Sequence, residues 1–482
     1  MAFTGADVVN VKAPGDKALA LADGLKDLPF HRWAKRFSGL QALPPVMASP
    51  PTMNMSAVGG ASTIPTPNTI SKDSLLISRS GTWTQYSGDT AFNAPERAGA
   101  HISFKLTGRR FDIRGARVSG STRGFSILVD GELVTKTPWD QFLPGLTNKA
   151  SSATARHRFL CDFGANLVSF RCGRANIGTP SGSGYVVGDV LTLTGGTFTS
   201  PAQVRVGAVN GSGAIISLAV TDSGAYSVVP NNTVAVTGGS GTGAVLLVYW
   251  NRVNTTKKTR RIDIIADYGT MLGEINVDAD ASVTPAELTG AKLLFAGDSI
   301  TEYQLADYAG GIWAQQVAWK LGAWDRSVPF GTSGRGWLAT TPFSLDVAAI
   351  IAEAPDMLVI ALGTNDASNE VNLASLTAEV TARLAELLEA LPYLRIVVVG
   401  PFVDATGTYT SAIAAGVAAV ASADQARVRF VDFHALGIYA AGSDFSASYG
   451  TASDVHPSQD GHDVIANGLA LPVAQAFLSM AA

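Results

Sequence analysis

From about residue 74 the apolar and polar positions alternate with a period of two, which predicts short β-strands. The alternation is clear in HISFKLT, and the stretch GFSILVDGELV adds a strand with an Asp130-Gly131 hairpin turn. The same pattern returns after residue 249 and ends near residue 281. We therefore predict a β-sandwich that is formed by residues 74–175 and 249–287.

The block between these two parts, residues 176–248, has few charges and many glycines. It repeats itself loosely, because GSGYVVGDVLTLTGG at 182–196 is echoed by DSGAYSVVPNNTVAVTGG at 222–239. We predict a small β module inserted in a loop of the sandwich, since a long surface insertion costs little closure entropy. Its composition resembles that of Gly-rich repeat modules in bacteriophage tail and fibre proteins.

Residues 1–73 have a different pattern. Positions 17–37 place Leu, Trp and Phe at roughly helical spacing, and a Pro/Ser/Thr/Gly tract without a period follows. Such a tract cannot bury enough surface to fold alone. Two interpretations stay open: a flexible linker, or an arm that becomes ordered on a partner, as a particle anchor would.

After residue 288 apolar strands alternate with helices. Buried strands are predicted in KLLFAGDS, RSVPF, DMLVIALGTND, LRIVVVGP and RVRFVDF, and helices at 310–321, 373–391, 411–421 and 459–480. This order is typical of a parallel sheet covered on both faces, so we predict an α/β three-layer domain over residues 288–482. Ligands of such sheets bind beyond the carboxyl ends of the strands.

Composition excludes several classes of function. Charged residues are 15% of the chain and the net charge is −4, so there is no basic field for nucleic acid or an anionic membrane. We find no apolar run of the ~18 residues that a membrane span needs, and no secretory signal at the start. Cys161 and Cys172 flank a predicted hairpin turn at 164–166. Two cysteines cannot form a disulfide framework, and we expect both to be small buried residues rather than a disulfide between the two strands.

Candidate chemistry lies in three polar stretches that follow predicted strands or open a helix. GDSITE places Ser299 at a strand-to-helix turn, where backbone N–H groups favour a developing negative charge. GTND places Asn365 where its amide can donate to an oxyanion. DVHP supplies His456 as a general base, with Asp454 nearby to orient it.

Together these stretches resemble the conserved blocks of the SGNH (GDSL-type) hydrolases over residues 289–482. The resemblance implies a flavodoxin-like α/β domain. It assigns Ser299 of FAGDSIT as the nucleophile and His456 of DVHPS as the base. It also implies an oxyanion hole formed by the backbone N–H groups of Ser299 and of Gly334 in PFGTSG, and by the side chain of Asn365 in GTND.

Two positions depart from the family pattern. Pro329 stands where the second block usually has Asn, which removes a loop hydrogen bond rather than a catalytic group. The acidic residue usually lies three positions before the histidine, where this chain has Ser453, and the carboxylate is Asp454. Either Asp454 orients the His456 ring after a one-residue shift, or a backbone carbonyl does so in a Ser–His dyad.

The resemblance implies an esterase that requires neither a metal nor an organic cofactor. The preceding sandwich resembles the jelly-roll domain of some carbohydrate esterases, which points to O-acetyl groups on a polysaccharide, with Trp337 as a candidate for stacking on a sugar ring. The N-terminal residues and the inserted module suggest a virion tail or spike protein, with virion proteins as partners of residues 1–73 and a trimer by resemblance. The alternatives are an inactive glycan-binding virion protein and a free bacterial carbohydrate esterase.

Overall fold

A computed structural model describes residues 28–481, apart from 58–63, 65–66, 86–90, 92, 96–99, 118–124, 135–154, 165–167, 255–256, 267–269, 303–305, 307–309, 405 and 439–455. The chain forms two compact units. The first contains residues 1–106, 111–161 and 260–482, and the second contains residues 107–110 and 162–259.

Among the described residues, the N-terminal part of the first unit contains one helix and ten strands before residue 163. The helix is α1 (Pro29–Arg36). The strands are β1 (Thr52–Ala57), β2 (Asn68–Ile70), β3 (Ser78–Ser80), β4 (Trp83–Gln85), β5 (Asn93–Pro95), β6 (His101–Thr107), β7 (Arg110–Arg117), β8 (Phe125–Val129), β9 (Glu132–Leu133) and β10 (Ala155–Asp162).

The second unit is an eight-stranded sheet with the order β13-β16-β11-β18-β17-β12-β14-β15. Its long strands β11 and β18 pair antiparallel, with Val168 opposite Asn254 at one end. The predicted boundaries 176 and 248 therefore fall inside these two strands. The strands are β11 (Val168–Ser183), β12 (Val190–Leu193), β13 (Thr197–Ser200), β14 (Gln203–Val209), β15 (Ile215–Asp222), β16 (Ala225–Val228), β17 (Thr233–Thr237) and β18 (Thr242–Asn254).

The internal repeat of the second unit is visible in its core and turns. Tyr185 and Tyr226, which the repeat places in equivalent positions, are both buried in one hydrophobic cluster. The glycine pairs at 195–196 and 238–239 all have positive φ. Glycine adopts a positive φ at little steric cost, which explains why the repeat has glycine at these four turn positions.

Three further strands complete two sheets of the first unit: β19 (Thr259–Ala266), β20 (Thr270–Val277) and β21 (Ser282–Pro285). One sheet has the order β21-β6-β19-β8-β9, and the other β1-β10-β7-β20-β5-β4. Rings from the two sheets meet, since Phe104 lies 5.6 Å from Phe111 and Phe125 lies 4.8 Å from Phe159. The β-rich region is thus two sheets packed face to face, and its jelly-roll likeness stays a prediction.

One sequence-based expectation for this region is wrong. The linker interpretation fails for the described residues before 74, because Phe30 and Trp33 of α1 pack against Phe477 and strands β1 and β2 join a sheet. The predicted turn at 164–166 lies mostly outside the described residues; on either side of it, β10 pairs with β1 and β7, and β11 pairs with β16 and β18. Cys161 and Cys172 are buried and are not joined in a disulfide, as expected.

The C-terminal part of the first unit contains a parallel sheet with the order β23-β22-β26-β27-β28. In chain order this is 2-1-3-4-5, the order of flavodoxin-like folds. The strands are β22 (Leu293–Gly297), β23 (Val328–Gly331), β26 (Met357–Ala361), β27 (Arg395–Val399) and β28 (Val428–Val431), with a small pair formed by β24 (Arg335–Gly336) and β25 (Thr341–Pro342).

Helices cover both faces of this sheet, which confirms the predicted three layers. One hydrophobic cluster joins the sheet to α3, α8 and α1, and the other joins it to α4, α6 and α7. Most residues of these strands are apolar because both faces of the sheet are buried, and Arg395 and Arg429 are the charged exceptions. The helices are α2 (Ser299–Glu302), α3 (Trp313–Lys320), α4 (Ser344–Glu353), α5 (Thr364–Ser368), α6 (Leu373–Ala390), α7 (Thr408–Ala418) and α8 (Gln459–Leu478).

Candidate active site

The candidate nucleophile lies in a tight turn between β22 and α2. Asp298 precedes it, and its Oδ1 accepts a hydrogen bond of 2.9 Å from the backbone N–H of Ile300. This side-chain bond caps the short helix and fixes the backbone on either side of Ser299. The side chain of Ser299 is half-buried at the carboxyl end of the sheet.

The candidate base approaches from the start of the last helix. His456 lies just before α8, whose N-terminus is capped by the side chain of Ser458. The Nε2 atom of His456 lies 2.7 Å from the Oγ atom of Ser299, although 157 positions separate them in the sequence. The structure therefore brings these two predicted residues into hydrogen-bond contact, the geometry that a hydroxyl nucleophile and its base need.

The PFGTSG segment, residues 329–334, packs closely against the turn that carries Ser299. The backbone N–H of Thr332 donates to the carbonyl of Gly297 at 3.0 Å. A Cβ atom on Gly331 would lie 2.2 Å from the backbone nitrogen of Glu302, so only glycine permits this approach. Gly334 follows in an exposed loop with a φ of +73°.

Asn365 lies in the first turn of α5, directly after β26. Its Nδ2 donates a hydrogen bond of 2.9 Å to the carbonyl of Arg335, in the loop that carries Gly334. An amide nitrogen carries two N–H groups, and the second has no acceptor among the described residues. Asn365 is half-buried, so this second group can reach a ligand at the edge of the sheet.

Sequence reasoning missed the residue that holds the second block in place. The buried carboxylate of Asp366 accepts backbone N–H groups from Trp337 at 2.8 Å and from Leu338 at 2.7 Å. An ion pair between Arg335 and Asp346 anchors the same loop, with Nε and Oδ2 2.6 Å apart. The available signal was a carboxylate directly after Asn365 at the end of a buried strand.

Burial also perturbs two carboxyl groups of the site. Burial raises the pKa of Asp298 to about 7, and the nearby carboxylates of Asp366 and Glu302 contribute in the same direction. The Oδ2 atom of Asp298 has no hydrogen-bond partner among the described residues. Burial likewise raises the pKa of Asp366, although the backbone N–H groups that it accepts oppose the shift. Each carboxyl is therefore easier to protonate than an exposed one.

One predicted site residue is corrected by the structure, and one lies outside the described residues. Trp337 is fully buried, and its ring packs against Phe343 with centroids 5.1 Å apart. It cannot stack on a sugar ring, so this prediction is wrong; the bond from its backbone to Asp366 turns the loop inward at this position. Asp454 and the neighbouring Ser453 fall within the residues that are not described.

Two further properties concern ligands and membranes. Within the described ranges, no group of three or more His, Cys, Asp or Glu side chains is arranged to hold a metal ion. None of the helices in that part of the chain is long and apolar enough to cross a membrane.

The 2-1-3-4-5 sheet carries a Ser–His pair at the carboxyl ends of its strands, an arrangement that suits a hydroxyl nucleophile and its base. Residues 295–464 match the family described as GDSL-like lipase/acylhydrolase, which agrees with the resemblance expected for this part of the chain. No curated protein sequence matches the chain.

Several solved structures are similar to the chain. A family two carbohydrate esterase from Cellvibrio japonicus is 14% identical, with 86% of this chain and 98% of that chain covered and a TM-score of 0.46. An acetyl xylan esterase from the rumen bacterium Butyrivibrio proteoclasticus is 12% identical over 88% and 98%, with a TM-score of 0.42. A salicylyl-acyltransferase from a tetracycline biosynthetic pathway is 12% identical over 83% and 96%, with a TM-score of 0.44.

Proposed function

We propose that the protein is a serine esterase that hydrolyses carboxylic esters. The observation that carries the proposal is the 2.7 Å contact between Ser299 Oγ and His456 Nε2. In this mechanism the imidazole takes the hydroxyl proton while Oγ attacks the ester carbonyl. The same proton then passes to the leaving alcohol as the ester C–O bond breaks, which leaves an acyl-enzyme. Water, deprotonated by His456, releases the acid and restores the Ser299 hydroxyl.

The oxyanion of the tetrahedral intermediate needs preorganised donors. We assign this role to the backbone N–H groups of Ser299 and Gly334 and to the side chain of Asn365. The close approach of Gly331 to the nucleophile turn and the free N–H of Asn365 support this assignment. The same edge of the sheet is the topological switch point between β22 and β26, where ligands of this fold class bind.

We further propose that Asp454 orients His456. The support is sequence position alone, since a carboxylate two residues before the base can reach its other ring nitrogen after a small loop adjustment. A backbone carbonyl in this role would leave a Ser–His dyad, and the esterase proposal survives either arrangement because loss of the orienting group slows such enzymes without abolishing turnover.

For the substrate we propose O-acetyl groups on a polysaccharide. The support is the β-sandwich that precedes the hydrolase domain, as in the carbohydrate esterases that the sequence resembles. We also propose that the protein is attached to a virion tail or spike. The support is the likeness of the inserted module to Gly-rich modules of phage tail proteins. The alternatives are a glycan-binding protein without turnover and a free bacterial esterase, and the Ser–His contact favours an active enzyme over the first of these.

The experiment is fluorophosphonate labelling of the full chain, followed by acetate release from a panel of acetylated glycans. We expect labelling at Ser299, its loss in Ser299→Ala, and normal labelling in Ser411→Ala, a change of an exposed serine on α7. Folded protein that takes no label would remove the esterase proposal. Labelling without acetate release from any glycan, but with hydrolysis of p-nitrophenyl acetate, would retain the esterase and reject the substrate.

A further inference from the structure

A second polar cavity lies in the first unit, away from Ser299. It has a volume of about 630 Å³ and is lined by α1 and by the segments 288–291 and 321–326, together with Arg261. β22 begins at Leu293 and runs towards Ser299, so the segment 288–291 lies at the amino end of the sheet. The cavity is thus at the opposite end of the sheet from the catalytic edge, and its volume suits a small-molecule ligand.

The lining of this cavity is strongly basic. Four arginines, Arg32, Arg36, Arg261 and Arg326, line it against one acidic residue, Asp325. The Asp325 carboxylate is already engaged, because its Oδ2 accepts the backbone N–H of Thr289 at 2.9 Å. The lining therefore carries an excess of positive charge, although Arg261 is paired with Asp263, which does not line the cavity.

The arginines of α1 present free donors. Arg32 and Arg36 are four positions apart on one helix, and both side chains are exposed at the cavity. Within the described part of the chain neither makes a hydrogen bond or an ion pair; Arg32 only has a long-range attraction to Asp356. Two guanidinium groups on successive turns are thus available to the same ligand.

Arg261 contributes a fixed, half-buried cation to the lining. Its Nε binds the Asp263 carboxylate at 3.0 Å, and its Nη1 donates to the carbonyl of Glu287 at 3.0 Å. The guanidinium also lies over the ring of Trp324, 5.3 Å from its centroid. Its Nη2 atom has no accessible surface, so a ligand in the cavity would meet the positive charge of the guanidinium rather than this N–H group.

From these contacts we propose that the cavity binds an anionic ligand of about disaccharide size through a phosphate or carboxylate group. Guanidinium groups bind both anions with paired N–H donors, and the cavity offers two adjustable guanidinium groups on α1 beside the fixed positive charge of Arg261. The site does not use Ser299 or His456, so it is independent of the proposed esterase activity. An acidic glycan and a phosphorylated small molecule are the two sources of this chemistry.

The test is calorimetric titration of the full chain at low salt with inorganic phosphate, trigalacturonate and the neutral maltotriose. The double variant Arg32→Gln/Arg36→Gln removes the two free guanidinium groups. Lys35→Gln is the matched control, because Lys35 is an exposed cation of the same helix that does not line the cavity. Arg36→Lys keeps the charge and loses the paired donors. Equal melting temperatures of all variants establish that they are folded.

We expect at least one anion to bind, with an affinity that falls as salt is added. At the same low salt concentration, the double variant should bind this anion at least tenfold more weakly than the unaltered protein does. Lys35→Gln should bind as the unaltered protein does, and Arg36→Lys should be intermediate. A preference for phosphate or for trigalacturonate identifies the source. Absence of anion binding, equal binding of maltotriose, or equal losses in the double variant and Lys35→Gln would overturn the proposal. Hydrolysis of p-nitrophenyl acetate, measured on the same samples, should be unchanged throughout.

Discussion

The carboxylate of Asp366 accepts a 2.8 Å hydrogen bond from the backbone N–H of Trp337, which ties the end of β26 to the loop that carries Gly334. Asn365, one residue earlier, reaches the same loop through the carbonyl of Arg335. The adjacent side chains of Asn365 and Asp366 thus set the position of the loop after PFGTSG relative to the GTND segment. The proposed oxyanion donors are therefore held by one local network rather than by separate loops.

The first prediction tests this network with Asp366→Asn. An amide has only one acceptor oxygen, so one of the two N–H groups of the loop loses its partner, at a cost of about 1–3 kcal/mol of unfolding free energy. The loop should shift, and kcat should fall about 10- to 100-fold. Denaturant unfolding and steady-state kinetics check both values. Asp222→Asn, at a turn of the second unit, should leave kcat unchanged; full activity of Asp366→Asn would contradict the positioning role.

The second prediction concerns the amide donor. Asn365→Ala should lower kcat by about 10²–10³-fold with little change in KM, because an oxyanion donor acts mainly in the transition state. Steady-state kinetics with p-nitrophenyl acetate measures the split. Asn231→Ala, which changes an exposed amide of the second unit, is the control. A rise in KM at constant kcat would instead assign Asn365 to ground-state binding.

The third prediction separates a triad from a dyad. With Asp454 as the orienting group, Asp454→Asn should lower kcat by up to about 10⁴-fold, because the His456 ring loses its preferred tautomer and orientation. Ser453→Ala should have little effect. If a backbone carbonyl orients the ring, both variants should retain most of the turnover, and kcat values relative to Ser299→Ala decide between the two.

The fourth prediction uses the buried carboxyl beside the nucleophile. The pKa of Asp298 is raised to about 7 in the folded protein, so the folded state holds its proton more tightly than the unfolded state does. The protonated Asp298 carboxyl therefore stabilises the folded state. This contribution to the free energy of unfolding is fully present below about pH 4 and is lost as the pH rises through 7.

Asp298→Asn should remove that dependence and keep the hydrogen bond from Ile300. We compare the free energy of unfolding of Asp298→Asn with that of the unaltered protein. The value for the variant minus the value for the unaltered protein should increase by about 3 kcal/mol from pH 5 to pH 8. Urea unfolding of both proteins across this range provides the measurement. A difference that is independent of pH would show that the carboxyl does not titrate there.

Much of the C-terminal α/β domain could be predicted from the sequence because its signals are local. A strand covered on both faces is mostly apolar, and the five predicted strands are present in the parallel sheet. The Asp130-Gly131 turn was equally local: both residues have positive φ and join β8 to β9. Likewise, the ends of the strands indicated where Ser299 and Asn365 would lie, because parallel strands end at one edge.

The features that escaped prediction depend on contacts between distant residues. Whether Trp337 faces a ligand or the core is decided by Asp366, 29 positions away, and composition near the site carries no such information. Trp33 likewise gains its place from its indole N–H, which donates to the carbonyl of Leu321 across 288 positions. The strands that pair with β10 and β11 were missed for the same reason, since β1, β7, β16 and β18 are distant from them in the sequence.

The pairing of Val168 with Asn254 places the entry and the exit of the second unit on neighbouring strands. A cassette whose two ends lie side by side can be cut out and closed with a short turn, or exchanged for a domain of another size, without altering the register of any other strand. Recombination at these two points would give descendants with the same Ser–His site and a new appendage, each assembled in a single genetic event.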